Sequence, residues 1–244
     1  ISKLMNYSPI LIVSGEPNSI FLEIFFKTLK LKKIKSPLIL ISSEKLVKIQ
    51  MKKLNYNYKI RIINPKKISE YKLDNKTINL INIEFSQKKA FEKISKKSKN
   101  FIKNSFEIAF EIIKKYKISR FINGPISKEN FLDKKYLGMT EYISKKFQIK
   151  KNAMLIYNKD ISVCPVTTHL PISLVSKKIN FKLIKEKVLL INDFYKKNKG
   201  YKPKIAVTGL NPHCESILKL KEDKKIISPA IKSLKKEGYK VFGP

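Results

Sequence analysis

The first half of the chain alternates short apolar runs with longer amphipathic stretches. Apolar runs at 10–13, 38–41, 60–63 and 78–83 have the length of buried strands. Apolar positions from Ile20 to Leu29 recur at helical spacing, and 44–54 predicts a second helix. The stretch 66–76 is a polar connection, and the lysine-rich 88–100 predicts a solvated helix or loop. Ile102, Phe106, Ala109, Phe110 and Ile113 then mark one face of an amphipathic helix leading into a strand at 120–123.

The second half places another strand at 153–156. An apolar run at 161–168 ends in Thr167-Thr168 before His169, and a second at 204–208 ends in Thr208 before His213. Between them Ile172, Val175, Ile179, Ile184, Val188, Ile191 and Tyr195 keep helical spacing, with Asn180 dividing the pattern into two helices. Strand, helix, strand predicts a right-handed parallel crossover, with both histidine loops at one carboxyl edge. A final helix is expected at 224–236, closed by Gly238, and 214–220 as loop. No closing element is expected at 241–244. This alternation argues for an α/β fold with parallel sheets covered on both faces.

Composition changes this picture little. The formal net charge of +34 suggests polyanions, yet the only arginines are Arg61 and Arg120, and the lysines are scattered. Bidentate reading of phosphate and guanine favours arginine, so no specific nucleic-acid partner is expected. Cys164 and Cys214 form no spaced metal or redox motif, and no apolar run approaches the ~18 residues of a membrane span. The run at 9–13 is too short for a signal-peptide core. A cytoplasmic location is expected, without membrane association.

Two candidates for chemistry stand out, each with a plainer alternative. His169 and His213 are the only histidines. They supply half of a divalent-metal site if their loops converge, or each hydrogen-bonds its own loop. Gly124-Pro125-Ile126-Ser127-Lys128 follows a strand, so backbone N–H groups and the Lys128 ammonium can hold an anion; the alternative is an ordinary turn. Thr140 and Glu141 fit the opening of a helix. Gly15 stands alone, and no G-x-G-x-x-G fingerprint occurs.

Taken in order, Gly15-Glu16-Pro17, Asn123-Gly124-Pro125-x-x-Lys128, Gly138-x-Thr140-Glu141, Thr167-Thr168-His169-Leu170-Pro171 and Gly209-Leu210-Asn211-Pro212-His213 resemble the 4-hydroxythreonine-4-phosphate dehydrogenases of pyridoxal 5′-phosphate synthesis. The resemblance implies a three-layer α/β/α fold like that of isocitrate and isopropylmalate dehydrogenases. Two domains, here 1–133 and 134–244, would flank a cleft in a homodimer. It implies NAD(P)+-dependent oxidation and decarboxylation of 4-phosphooxy-L-threonine. It implies a divalent metal, Zn2+ first and Mg2+ or Co2+ as alternatives, on His169, His213 and a third histidine from the other subunit. Substrate contacts are implied for Thr140 and Lys128, and for Met139, which stands where the family has histidine. A thioether cannot donate a hydrogen bond, so that contact is altered. The family's Asn-Pro-His-Ala-Gly-Glu appears as Asn211-Pro-His-Cys-Glu-Ser216, one residue shorter, and its early Gly-Ile-Gly-Pro as Ser19-Ile-Phe-Leu22. The family is about a quarter longer, so the chain is expected to be a C-terminally truncated piece, inactive alone, with Met5 as a candidate start. A dehydrogenase of threonate or erythronate phosphate, and a decayed metal- or polyanion-binding remnant, are the competing readings.

Overall fold

The computed structural model describes residues 8–31, 33–132, 136, 138–214 and 221–244. The chain divides into two compact units, Ile1–Lys135 and Tyr136–Pro244. The expected boundary at 133/134, the start at Met5 and the loop stretch 215–220 lie outside the described residues.

In the first unit, β1 (Ile10–Val13), β2 (Leu38–Ser42), β3 (Ile60–Ile62), β4 (Ile78–Asn82) and β5 (Phe121–Asn123) form one parallel sheet in the order β3-β4-β2-β1-β5. Helices α1 (Phe21–Leu31) and α2 (Glu44–Lys53) cover one face, where Leu22, Phe25, Phe26, Leu46 and Val47 meet Ile12, Leu40 and Leu80. The intervening strand residues Leu11, Val13, Ile39, Ile41 and Ile81 are equally buried and point to the opposite face. Helix α3 (Lys99–Tyr116) packs on β1 and β2 through its Phe101, Ile102, Phe106, Ala109 and Phe110 stripe. Burial on both faces explains why β2 is apolar at four consecutive positions instead of alternating. The two arginines are fixed internally. Arg120 donates to the Ser8 carbonyl (2.5 Å) and Ser36 Oγ (2.9 Å), and Arg61 to the Lys72 carbonyl (2.7 Å) beside Asp74.

The second unit holds α4 (Met139–Lys146), α5 (Ile172–Lys178), α6 (Phe181–Lys199), β6 (Ile205–Ala206), α7 (Ser228–Lys236) and β7 (Val241–Phe242). Its core joins Ile184 and Val188 of α6 to Ala230, Ile231 and Leu234 of α7 and to Val241. Asn180 does divide the helical pattern: its side chain caps α6 by accepting from Leu183 N at 2.9 Å. Gly238 follows α7 with φ +83°, donating to the Lys235 carbonyl.

Three expectations fail here. The strands at 153–156 and 161–168 reduce to a single antiparallel bridge, Ile156 with Val163. The Ser162 hydroxyl accepts from Asn158 N and donates to the Asn158 carbonyl, which reverses the chain between them, and Pro165 has no N–H to extend a ladder. The crossover between the histidine segments is therefore absent, and the parallel pair is β6 with β7 across α7. The chain's last residues, expected to lack a closing element, supply β7.

Candidate functional site

At the carboxyl edge of the first sheet, the turns after β1 and β5 meet backbone to backbone. Gly124 N donates to the Val13 carbonyl (2.8 Å), and Glu16 N to the Pro125 carbonyl (2.8 Å). A Cβ on Gly15 would lie 2.3 Å from the Pro125 oxygen, and Gly15 has φ +73°, so only glycine fits there. Two weak sequence motifs thus form one structure, at the edge where open α/β sheets bind ligands. Glu16 is buried under it, accepting from Ser98 Oγ at 2.8 Å. Lys128 is exposed and opens a wide helical turn, Lys128–Leu132, anchored by buried Phe131 and Leu132. It belongs to the first unit, whereas the other candidates belong to the second.

In the second unit, Gly138 precedes α4, and Met139 and Thr140 lie half-buried in its first turn. Buried Tyr142 anchors the helix. Glu141, one residue beyond Thr140, reaches the distant Thr167-Thr168-His169 segment. Thr168 Oγ1 donates to Glu141 Oε1 at 3.3 Å, and His169 Nδ1 lies 3.8 Å from the same oxygen. A Cβ on Gly138 would lie 2.7 Å from His169 Cε1, so the imidazole occupies the space glycine leaves. The structure therefore brings two of the quoted motifs together.

His213 is placed by a different set of contacts. Asp223, 3% exposed, accepts from Leu210 N (2.7 Å), Asn211 N (3.2 Å) and Asn211 Nδ2 (2.7 Å). Burial pushes the Asp223 pKa up, but the hydrogen bonds from Leu210 and Asn211 outweigh it and hold the carboxyl below its ordinary value. This clamp fixes the Gly209-Leu210-Asn211 strand exit, and His213 follows in a short turn, Pro212–Cys214. His169 and His213 both have φ 55°, and Cys214 has φ 56°. That left-handed backbone is costly for a residue with a Cβ and gathers at functional positions. Burial pushes the Cys164 thiol up against the pull of Lys187.

The donor chemistry fits a transition-metal ion in part. Two imidazoles on exposed turns, one with a carboxylate behind Nδ1, match the way metal-bound histidines are oriented. Among the described residues no three His, Cys, Asp or Glu side chains gather into a full ligand set. The parallel crossover that was to bring the two loops to one edge is replaced by these local clamps. Glu141 and Asp223 were missed as site residues: the first reads from sequence as a helix-opening acid, and the second falls between the expected loop at 214–220 and the expected helix at 224–236. The signal available for Asp223 was an acidic pair, Glu222-Asp223, opening a helix shortly after a histidine turn.

The family model described as pyridoxal phosphate biosynthetic protein PdxA matches residues 33–244. A 4-hydroxythreonine-4-phosphate dehydrogenase of Sulfurihydrogenibium sp. is 31% identical over 239 residues, covering 96% of this chain and 72% of the relative. A D-threonate 4-phosphate dehydrogenase of Salmonella typhimurium is 27% identical over 248 residues, covering 98% and 75%. The solved 4-hydroxythreonine-4-phosphate dehydrogenase of Klebsiella pneumoniae superposes with a TM-score of 0.81 at 23% identity, over 98% of this chain and 75% of that one, a likeness of fold. No described helix is long and apolar enough to cross a membrane. With the motif order, the parallel α/β sheet and a family match running from residue 33 to the last residue, the chain belongs to the PdxA family of pyridoxal phosphate biosynthetic proteins.

Proposed function

We propose that this chain serves an NAD(P)+-dependent oxidation of 4-phosphooxy-L-threonine at its secondary alcohol. A hydride leaves C3 for the nicotinamide and the hydroxyl proton leaves to solvent. The resulting β-keto acid loses CO2, and C2 takes up a proton to give 3-amino-2-oxopropyl phosphate. The observation that carries this reading is the meeting of Gly138-Met139-Thr140-Glu141 with Thr168-His169 in a chain of this family. His169 and His213 would hold a divalent ion, with zinc favoured by imidazole donors, completed by a third ligand from a second copy of the chain. Such an ion would supply Lewis acidity at the reacting oxygen while bound nicotinamide accepts the hydride. Thr140, in the first turn of α4, would donate to the substrate's anionic end, and Lys128 would balance phosphate charge. In the full-length protein, His169→Ala should abolish NAD(P)+ reduction with 4-phosphooxy-L-threonine without unfolding the protein. Turnover at the wild-type rate would overturn the assignment.

The D-threonate 4-phosphate dehydrogenase among the relatives raises a second reading. Where the family's histidine can donate a hydrogen bond, the thioether of Met139 cannot, and this position leaves the choice of substrate open. D-threonate 4-phosphate carries a hydroxyl where 4-phosphooxy-threonine carries its ammonium. Comparing kcat/KM for the two substrates, each with NAD+ and NADP+, decides between them. Zinc binding without turnover of either would support the remnant reading.

A further inference from the structure

The proposal resting on the metal reading concerns Glu141, to which neither the motif nor the family comparison assigns a role. Its carboxylate stands on the Nδ1 side of His169, with Oε1 3.8 Å from that nitrogen, an electrostatic contact and not yet a formed hydrogen bond. Thr168 Oγ1 donates to the same oxygen at 3.3 Å, which fixes the carboxylate beside the ring. Oε2 is buried and has no hydrogen-bond partner among the described residues. A carboxylate oxygen held away from water without a donor is unfavourable unless the group serves another contact. Gly138 makes the arrangement possible. A Cβ there would come within 3.2 Å of His169 Nδ1, 2.7 Å of Cε1 and 3.0 Å of Glu141 Oε2. The Cε1–Nδ1 edge of the imidazole is therefore the edge turned to α4, and Nε2 lies on the side away from Gly138.

We propose that Glu141 is the positioning residue of His169: its carboxylate accepts from Nδ1–H, which keeps the proton on Nδ1, sets the tautomer and presents Nε2 for ligation. A carboxylate behind a ligating imidazole fixes ring orientation and raises ligand basicity, and its loss typically weakens metal binding 10- to 100-fold. A first-turn acid that only favours the helix N-terminus would need no contact with His169 at all.

The experiment uses the full-length protein and two readouts. Nitrogen-15 histidine spectra of the metal-free protein at about pH 8, above the ordinary imidazole range, report the tautomer, with His169→Ala assigning the signal. Chelator competition with Zn2+ alone reports affinity. Wild type should show the Nδ1–H form at His169. Glu141→Ala should shift it toward Nε2–H and weaken Zn2+ binding about 10- to 100-fold. Glu141→Gln, which keeps an acceptor oxygen, should retain the tautomer and most of the affinity. If Glu141→Ala does not fold, Thr168→Val, which frees the carboxylate, should give the same trend more weakly. An unchanged tautomer together with wild-type zinc affinity in Glu141→Ala overturns the proposal. His169→Ala with unchanged zinc affinity instead overturns the metal reading, and the tautomer alone then decides the role of Glu141.

Discussion

Strand β2 in the first unit is buried at all five residues and lies between β1 and β4, with a hydrophobic layer on each face. Helix α5 in the second unit has no buried residue, and its Ile172 is 91% exposed. The same contrast runs through both units. The first carries its glycine turns on a sheet of five strands, whereas the second hangs its histidines on loops steadied by single carboxylates. A sheet buried on both faces holds its edge rigidly by packing. A unit whose strands are two residues long must hold its chemistry through individual hydrogen bonds and unusual backbone angles. The second unit is thus where a single polar substitution should change function most for a given loss of stability.

The sharpest test compares apolar truncations. Leu40→Ala, at a fully buried position in β2, should cost about 3–5 kcal/mol, because the removed methyl groups leave a cavity that the layers cannot close. Ile172→Ala should cost less than about 0.5 kcal/mol. Urea denaturation midpoints measure both. Equal losses would mean that α5 is covered in solution and that the contrast is misdrawn.

That contrast also explains what could be read in advance. Every strand of the first sheet was legible, since runs such as Leu38-Ile39-Leu40-Ile41 have no stable alternative to burial on both faces. So was the division at Asn180, because an amide oxygen that satisfies a free helix N–H is a local device. The strands at 153–156 and 161–168 were misread because apolar content alone does not supply a partner. Asn158, Ser162 and Pro165 turn the chain locally instead. The histidines were singled out by type and spacing. Their clamps were not, because Glu141 with Thr168 and Asp223 with Asn211 are pairs joined only by tertiary structure.

The next test concerns the Asp223 clamp. Asp223→Asn keeps the shape but loses a charged acceptor of three hydrogen bonds, and should cost about 2–3 kcal/mol. The sign with pH follows from the lowered pKa. The stabilisation is present above the unfolded carboxyl value, about 3.9, and is lost as pH falls through that value toward the folded one. Wild type should therefore lose stability faster than Asp223→Asn between about pH 5 and pH 3. Parallel acid-unfolding curves would show that the carboxylate contributes nothing specific.

The smallest expected effect is the most informative about function. His213 sits at φ 55°, ψ 17°, a conformation that costs a non-glycine residue about 1–2 kcal/mol. His213→Gly removes that penalty but adds about 0.5–1 kcal/mol of backbone entropy to the unfolded chain, so the net gain should lie between about 0 and 1.5 kcal/mol. A residue kept for stability would lose stability on replacement, whereas one kept for chemistry at a strained position should not. The prediction is a midpoint equal to or slightly above wild type, combined with weaker zinc binding, in His213→Gly and likewise in His169→Gly. His169→Gly also removes the ring packed against Gly138, so its gain should be the smaller of the two. A loss of more than about 1 kcal/mol in His213→Gly would show that its side chain holds the turn together. The left-handed backbone would then be a consequence of local packing, and not the cost of presenting an imidazole.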